Sequence, residues 1–261
     1  MERVEDFFHQ IAPKIIALTK KKFEVNTKVI YHMEGSPDLA TEGDLENEEL
    51  IKREITKWFP DDGIIAEETL SDESDIESGR KWIIDPICGS ANFKNGVKFF
   101  CTNIALAQEG KLIASCVVDH SREEYIWSVG KGEIHIGNRL VSPEKNPKAI
   151  VVDVDLSALM SVSYDRIDRQ EKLIDHMLKT KKYYLSAFNS SLPFAYVGLG
   201  RLSAYVSGSY KVWDVAAPNF LIMQNGIVTE IDGSPWTLKS DNGIGTINKN
   251  LHKELLSAIN A

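Results

Sequence analysis

Cysteine is scarce in this chain, with three in 261 residues (Cys88, Cys101 and Cys116), widely separated and without a CxxC pair. That spacing excludes a zinc knuckle and a dithiol redox motif, and it points to a reduced, cytoplasmic setting. Long apolar runs are missing too: none approaches the ~18 residues that suggest a membrane span, so no membrane partner is expected. There is no excess of basic residues, because 30 Lys and Arg stand against 38 Asp and Glu, a net charge of −8. Nucleic acid is therefore not an expected partner. A small phosphorylated ligand stays open, since a divalent cation can supply local positive charge. The chain has no G-x-S-x-G, P-loop or HExxH motif, and its six histidines lack ligand spacing. His120 and His135, in or beside strand-like runs, read as ordinary polar positions. Gly198-Leu199-Gly200 lacks the third glycine of a dinucleotide fingerprint, and Asp38–Glu49 imitates a calcium loop but has Ala40 where an oxygen ligand is required.

What is present is an ordinary globular composition, 43% hydrophobic and 26% charged, long enough for one large α/β unit. Residues 1–149 and 150–261 read as two halves of that unit. The amino terminus opens with charges and has no small-residue cleavage site, so no secretory signal is expected. Its apolar positions, Val4, Phe7, Phe8, Ile11, Ile15, Ile16 and Leu18, recur at helical spacing. A short strand over Lys28–His32, a polar loop over Glu34–Gly43 and a helix from Leu45 to Phe59 follow, the helix stopped by Pro60–Gly63. Gly63–Ala66 and Trp82–Ile84 read as strands separated by a solvated loop over Ser71–Gly79. Thr102–Gln108, Leu112–Asp119 and Glu124–Val129 alternate as an antiparallel meander. In the second half, strands are expected at Val151–Val154, Leu202–Val206 and Ile227–Ile231, with helices at Arg166–Leu178, Ser190–Gly198 and Val215–Asn225. The mixture favours α/β or α+β layers over a doubly wound dinucleotide fold.

Carboxylates stand where apolar runs end: Glu67-Glu68 after GIIA, Asp85 after KWII and Asp214 after KVW. Acids held together at the edge of a core repel one another unless a cation lies between them. Oxygen ligands favour a hard ion such as Mg2+. Any one of these acids alone reads better as a solvated turn residue; their joint occurrence carries the signal.

The segments DLATEGD (38–44), IIAEET (64–69), WIIDPICGSANF (82–93) and VWDVAA (212–217) occur in an order and spacing that resembles the inositol monophosphatase and fructose-1,6-bisphosphatase superfamily. The resemblance runs from about Ser36 to Trp236. It implies an αβαβα layered sandwich, a homodimer, and hydrolysis of a small sugar or polyol phosphate, of the inositol-1-phosphate or fructose-1,6-bisphosphate class, by a metal-activated water. By the same resemblance Glu67, Asp85 and the Ile87 carbonyl hold one Mg2+, and Asp85 and Asp214 a second, with Mn2+ as an alternative ion. Backbone amides of Gly89, Ser90 and Ala91 cradle phosphate. Ser90 orients the attacking water, Asp44 accepts the Ser90 proton, and Glu67 helps activate the water.

Cys88 stands where the family has a second metal-binding aspartate, and a thiol matches Mg2+ poorly. Two readings follow: an enzyme that is slow or uses a softer ion, or a weakened relative that binds a phosphosugar in a regulatory role. Ser207 occupies the position of the Glu that binds inositol hydroxyls, Phe188-Asn189-Ser190 replaces a G-T-A turn, and a basic residue expected near Met33 and Glu34 is absent. Arg201 and Lys211 are candidates for a second phosphate of a bisphosphate, as in the archaeal-type fructose-bisphosphatase branch. Each reads better as a solvated surface cation.

Overall fold

The computed structural model describes residues 1–24, 28–32, 39–69, 76–145, 149–156 and 164–261. The positions of Met33 and Glu34, and parts of the loops expected over Glu34–Gly43 and Ser71–Gly79, lie outside the described residues. In chain order the elements are α1 (Glu2–Glu24), β1 (Val29–His32), β2 (Leu39–Thr41), α2 (Glu42–Trp58), β3 (Gly63–Ala66), β4 (Arg80–Cys88), α3 (Ser90–Lys94), β5 (Cys101–Gln108), β6 (Lys111–Asp119) and β7 (Glu124–Ser128). There follow β8 (Ile134–Ile136), β9 (Arg139–Val141), β10 (Val151–Asp155), α4 (Tyr164–Thr180), β11 (Tyr184–Ser186), α5 (Leu192–Gly198), β12 (Ala204–Ser207), α6 (Val212–Met223), β13 (Ile227–Thr229), β14 (Gly243–Thr246) and α7 (Lys249–Ile259).

Two sheets carry the architecture. The larger has order β3-β4-β5-β6-β7-β8-β9 and the smaller β11-β10-β12-β14-β13. The larger is an antiparallel meander except for the parallel β3–β4 pair. In the smaller, β10 pairs in parallel with both β11 and β12, while β14 runs antiparallel to its neighbours. The apolar stripe of α1 predicted from its spacing does face inward: Phe7, Phe8, Ile11 and Ile15 join Ile51 and Ile55 of α2 against Trp82, Ile84, Ile104 and Val118. The opposite face of this sheet, with Ile83, Ala105 and Val117, packs on Leu192 and Ala195 of α5 and Ala216, Ala217 and Leu221 of α6. Those two helices turn their other sides, through Phe194, Val197, Val215 and Ile222, to Tyr205 and Val228 of the smaller sheet. Leu173 and Met177 of α4 and Leu251, Leu255 and Ile259 of α7 cover its outer face. The layer order is helix, sheet, helix, sheet, helix. Each sheet is apolar on both faces, which is why it needs a helical layer on each.

Three boundaries differ from the sequence reading in a way that matters below. The second helix begins at Glu42 rather than Leu45, and the helix of the VWDVAA segment begins at Val212 rather than Val215. The WII strand extends through Asp85, Pro86 and Ile87 to Cys88. In the helix cases an Asp at the third position closes the N-cap backbone, a device that a purely apolar periodicity does not reveal.

Candidate active site

The centre of the site is one irregularity in the β4–β5 ladder. Asp85 pairs with Asn103 and Cys88 with Cys101, so two residues of β4, Pro86 and Ile87, oppose only Thr102. This is a β-bulge, placed where Pro86 has no N–H to give to the ladder. In a regular strand, residues three apart face opposite sides of the sheet. The extra residue cancels that alternation and brings Asp85 and Cys88 to one face, with Asn103 and Cys101 as their partners. The bulge is held by Thr102, whose Oγ1 donates to the Pro86 carbonyl at 2.7 Å and lies 3.0 Å from His120 Nε2.

Asp85 is 1% exposed, and neither of its carboxylate oxygens has a hydrogen-bond donor from the protein. One of its oxygens, Cys88 Sγ and an oxygen of Asp214 all lie within 4.8 Å of one another. Glu67 completes the cluster from the carboxyl end of β3, where its backbone N–H donates to the Ile84 carbonyl at 3.2 Å. The Glu67 carboxyl lies beside that of Asp85. Burial, followed by the neighbouring Cys88, Glu67 and Asp214, holds the Asp85 carboxyl well above the usual carboxylate range. Glu67 is pushed the same way by burial and then by Asp214 and Glu68. For Cys88 the contact with the Cys101 thiol, then burial, raises the thiol above its ordinary value. A buried carboxylate with two orphaned oxygens is costly, and a cation seated among these groups removes the cost. The residues present therefore fit a metal centre.

Asp44 and Asp214 reach the site by the same local device. Asp44 is the third residue of α2, and one of its oxygens accepts from the Thr41 backbone N–H at 2.8 Å. Its other oxygen lies 2.8 Å from Ser90 Oγ, which is also 2.9 Å from the Ile87 carbonyl. Asp214 is the third residue of α6 and accepts from the Lys211 backbone N–H at 2.7 Å. Asn103, buried near the start of β5, donates to the Asp214 carbonyl at 3.0 Å and to Ser191 Oγ at 2.8 Å. These bonds fix the first turns of α5 and α6 against the strand opposite Asp85.

Gly89 leads from Cys88 into α3 with φ of 105°, a left-handed conformation. A Cβ there would lie 3.1 Å from Ser190 Cβ and 3.2 Å from Phe100 Cβ, so both backbone angle and space require glycine. The close approach packs the Asn189–Ser190 loop against the bulge, where Ser190 Oγ donates to the Cys88 carbonyl at 2.9 Å. Phe93 N–H is bonded to the Gly89 carbonyl, so the amides of Gly89, Ser90 and Ala91 precede the first intrahelical bond of α3.

The structure thus gathers Asp44, Glu67, Asp85, Ile87, Cys88, Ser90 and Asp214 about one point, with Gly89 and Ala91 beside it. Lys211 is exposed at the N-cap of α6, close to Asp214. Two expected substrate residues are placed otherwise. Arg201 precedes β12 at the end opposite Ser207; its guanidinium pairs with Glu124 at 2.7 Å and stacks 4.9 Å over the Tyr196 ring. An ion pair and an aromatic face already hold it, so it is not presented to a phosphate at the carboxylates. Ser207 is fully buried, its hydroxyl 3.0 Å from an Asp155 carboxylate oxygen and 2.9 Å from the Ser209 carbonyl, so it offers no group to a ligand. Asn103 and Ser191 escaped the sequence reading. The available signal for Asn103 was an amide heading the apolar run IALA, which a buried strand retains only when both hydrogen-bonding ends are satisfied.

The sequence profile of the inositol monophosphatase family matches residues 1–261. The chain belongs to the inositol monophosphatase family. The fructose-1,6-bisphosphatase/inositol-1-monophosphatase of Thermotoga maritima is 30% identical over 228 residues, covering 87% of this chain and 84% of that protein. The Nus factor SuhB of Xylella fastidiosa is 28% identical over 211 residues, 79% of this chain and 74% of its own length. The solved structure of a Thermotoga maritima IMPase superposes with a TM-score of 0.83 at 27% identity, covering 100% of this chain and 97% of that one. Members of the family are phosphoric monoester hydrolases, and this chain is a phosphatase of that family with its layered fold.

Proposed function

We propose that this inositol monophosphatase-family chain is a Mg2+-dependent hydrolase of a small sugar or polyol phosphate, with inositol-1-phosphate and fructose-1,6-bisphosphate as the substrate classes to test first. The observation that carries it is the pair of buried, donorless Asp85 oxygens facing Asp214 and Cys88 beside Glu67. Glu67, Asp85 and the Ile87 carbonyl would hold one divalent cation; Asp85, Cys88 and Asp214 would hold the other. When bound, the cations lower the pKa of a water molecule and neutralise charge on the phosphoryl group and the leaving oxygen.

The chain's own residues supply the rest. Amides of Gly89, Ser90 and Ala91 point at the phosphoryl oxygens. Ser90 Oγ, bonded to Asp44, orients the attacking water and passes its hydroxyl proton toward the Asp44 carboxylate, 2.8 Å away. Burial raises the affinity of Asp44 for a proton, which suits an acceptor. Glu67 assists from the other side of the water. Lys211, exposed at the N-cap of α6 beside Asp214, is a cation available to a second anionic group of the substrate. A cytoplasmic homodimer is the expected setting.

A regulatory, weakly catalytic role is the competing reading, favoured by Cys88 at a ligand position and by the Nus factor SuhB among the relatives. Turnover of inositol-1-phosphate, fructose-1,6-bisphosphate and 3′-phosphoadenosine 5′-phosphate, in Mg2+ and then in Mn2+, separates the two. Release of phosphate from at least one substrate, lost with EDTA, is expected. No turnover of any of them with either ion, alongside measurable binding, would overturn the enzymatic reading.

A further inference from the structure

We infer that the ion position bounded by Asp85, Cys88 and Asp214 takes a thiophilic divalent cation of the zinc and cobalt class rather than Mg2+, with Cys88 as a direct sulfur ligand. The inference deepens the metal-dependent hydrolase proposed above and rests on it.

The donor set is the first ground. Two carboxylates and a thiol converge, their ligand atoms all within 4.8 Å of one another. Ligand atoms sharing a tetrahedral zinc at ~2.0–2.3 Å lie about 3.3–3.6 Å apart, so a contraction of at most about 1.5 Å closes the site. Three protein ligands leave a fourth position open, as in catalytic rather than structural zinc sites. Mg2+ demands oxygen ligands in near-octahedral geometry and gains little from sulfur, whereas zinc and cobalt accept mixed sulfur and oxygen sets. The hard site beside it, made by Glu67, Asp85 and the Ile87 carbonyl, is oxygen only. Asp85 would bridge two chemically different ions.

The setting of Cys88 is the second ground. Its sulfur accepts the Ser191 backbone N–H at 3.2 Å, the kind of bond that orients and stabilises a metal-bound thiolate. It is 9% exposed at the end of β4, turned by the bulge to the face that Asp85 occupies. Cys116 shows what a packing cysteine looks like in the same sheet. It pairs with Ile104 and Trp127 inside the apolar cluster under α1. Cys101 lies next to Cys88 across the ladder and its thiol touches that of Cys88; its sulfur also lies 3.7 Å from Asn103 Oδ1 and 3.6 Å from Ser191 Oγ, and it is not one of the converging ligand atoms.

Cobalt(II) added to the metal-free full-length protein, kept reduced and free of oxygen, provides the test, because a cobalt–thiolate bond has a near-ultraviolet charge-transfer band that oxygen ligands lack. One equivalent of cobalt per chain should develop that band. Cys88→Ser should abolish it, and Cys101→Ser should keep it. Cys88→Asp should still bind cobalt without the band, and its preference for zinc over Mg2+, read by competition calorimetry, should fall at least about tenfold. Cobalt bound with no band, or with a band unchanged in Cys88→Ser, would overturn the sulfur ligand while leaving a metal centre intact. Failure of Mg2+, Mn2+, zinc and cobalt alike to bind the wild-type protein would instead defeat the metal-dependent reading beneath it.

Discussion

Asn103 stands opposite Asp85 in the β4–β5 ladder, and its side chain donates to the backbone carbonyl of Asp214. A single buried amide thus sets the spacing between two carboxylates that come from distant parts of the chain. It does so without touching the reacting groups, which makes it a positioning residue.

Asn103→Ala should leave the Ser191 hydroxyl and the Asp214 carbonyl without their donor, at a cost of about 1–3 kcal/mol for buried groups left unpaired. Thermal unfolding of the metal-free protein reads this loss as a fall of several degrees. A purely structural role would stop there. A positioning role should also weaken Mg2+ binding in calorimetry, and an unchanged metal affinity would refute it.

Asp85→Asn should act in opposite directions on stability and function. In the metal-free protein the substitution replaces a buried, donorless carboxylate by a neutral amide that can donate to Glu67 or Asp214. The apo protein should then unfold at a higher temperature than wild type. Wild type should gain ~2.7 kcal/mol from metal at a hundred times its Kd, and the variant should gain almost none. Phosphatase turnover should be nearly lost. A variant retaining both its metal-induced shift and its turnover would place the centre elsewhere.

Ser90→Ala removes the hydroxyl that links Asp44 to the Ile87 carbonyl while leaving the backbone amides in place. Turnover should fall by about ten- to a thousandfold, the range for one positioned hydrogen-bonding or proton-transfer group. KM should change little. A raised KM with unchanged kcat would assign Ser90 to binding instead.

Asp153, inside β10 and 1% exposed, accepts from Ser186 Oγ at 2.9 Å, and burial raises its carboxyl to about 7 from an ordinary value of 3.8. Between about pH 4 and 7 the folded state holds a proton that the unfolded chain has released. More protons bound in the folded state means stability declines as pH rises through this window, by at most about 4 kcal/mol. Unfolding of metal-free wild type should show this decline, and Asp153→Asn should make it shallower, the raised Asp85 and Glu67 carboxyls accounting for what remains. Parallel pH profiles for the two proteins would rule out Asp153 as its source.

Much of the site was legible in the sequence because its motifs are local. The acids that end the apolar runs GIIA and KWII and the glycine after Cys88 are short-range patterns, whereas the capping positions of Asp44 and Asp214 were missed, because both helices begin three residues before their apolar periodicity does. The layered fold was legible for the same reason, since helical and strand periodicities alternate along the chain. Substrate residues were read less well. Arg201 and Ser207 are six positions apart around a short strand, and nothing in their spacing reveals that Glu124 and Tyr196 capture one while Asp155 buries beside the other.

The sequence by itself determined which residue types are available: acids at the ends of apolar runs, a serine beginning a short helix, and a thiol where an acid is expected. The tertiary structure decided which of them meet. Asp85 and Cys88 are three residues apart and would face opposite sides of a regular strand; the bulge over Pro86 and Ile87 puts them on one face. Asp214 lies far along the chain and reaches that face only because α6 packs between two sheets and Asn103 ties its first turn to β5. Strand alternation is a local rule that a sequence displays, whereas ladder register and helix docking are set by long-range packing and hydrogen bonding that no short stretch of sequence contains.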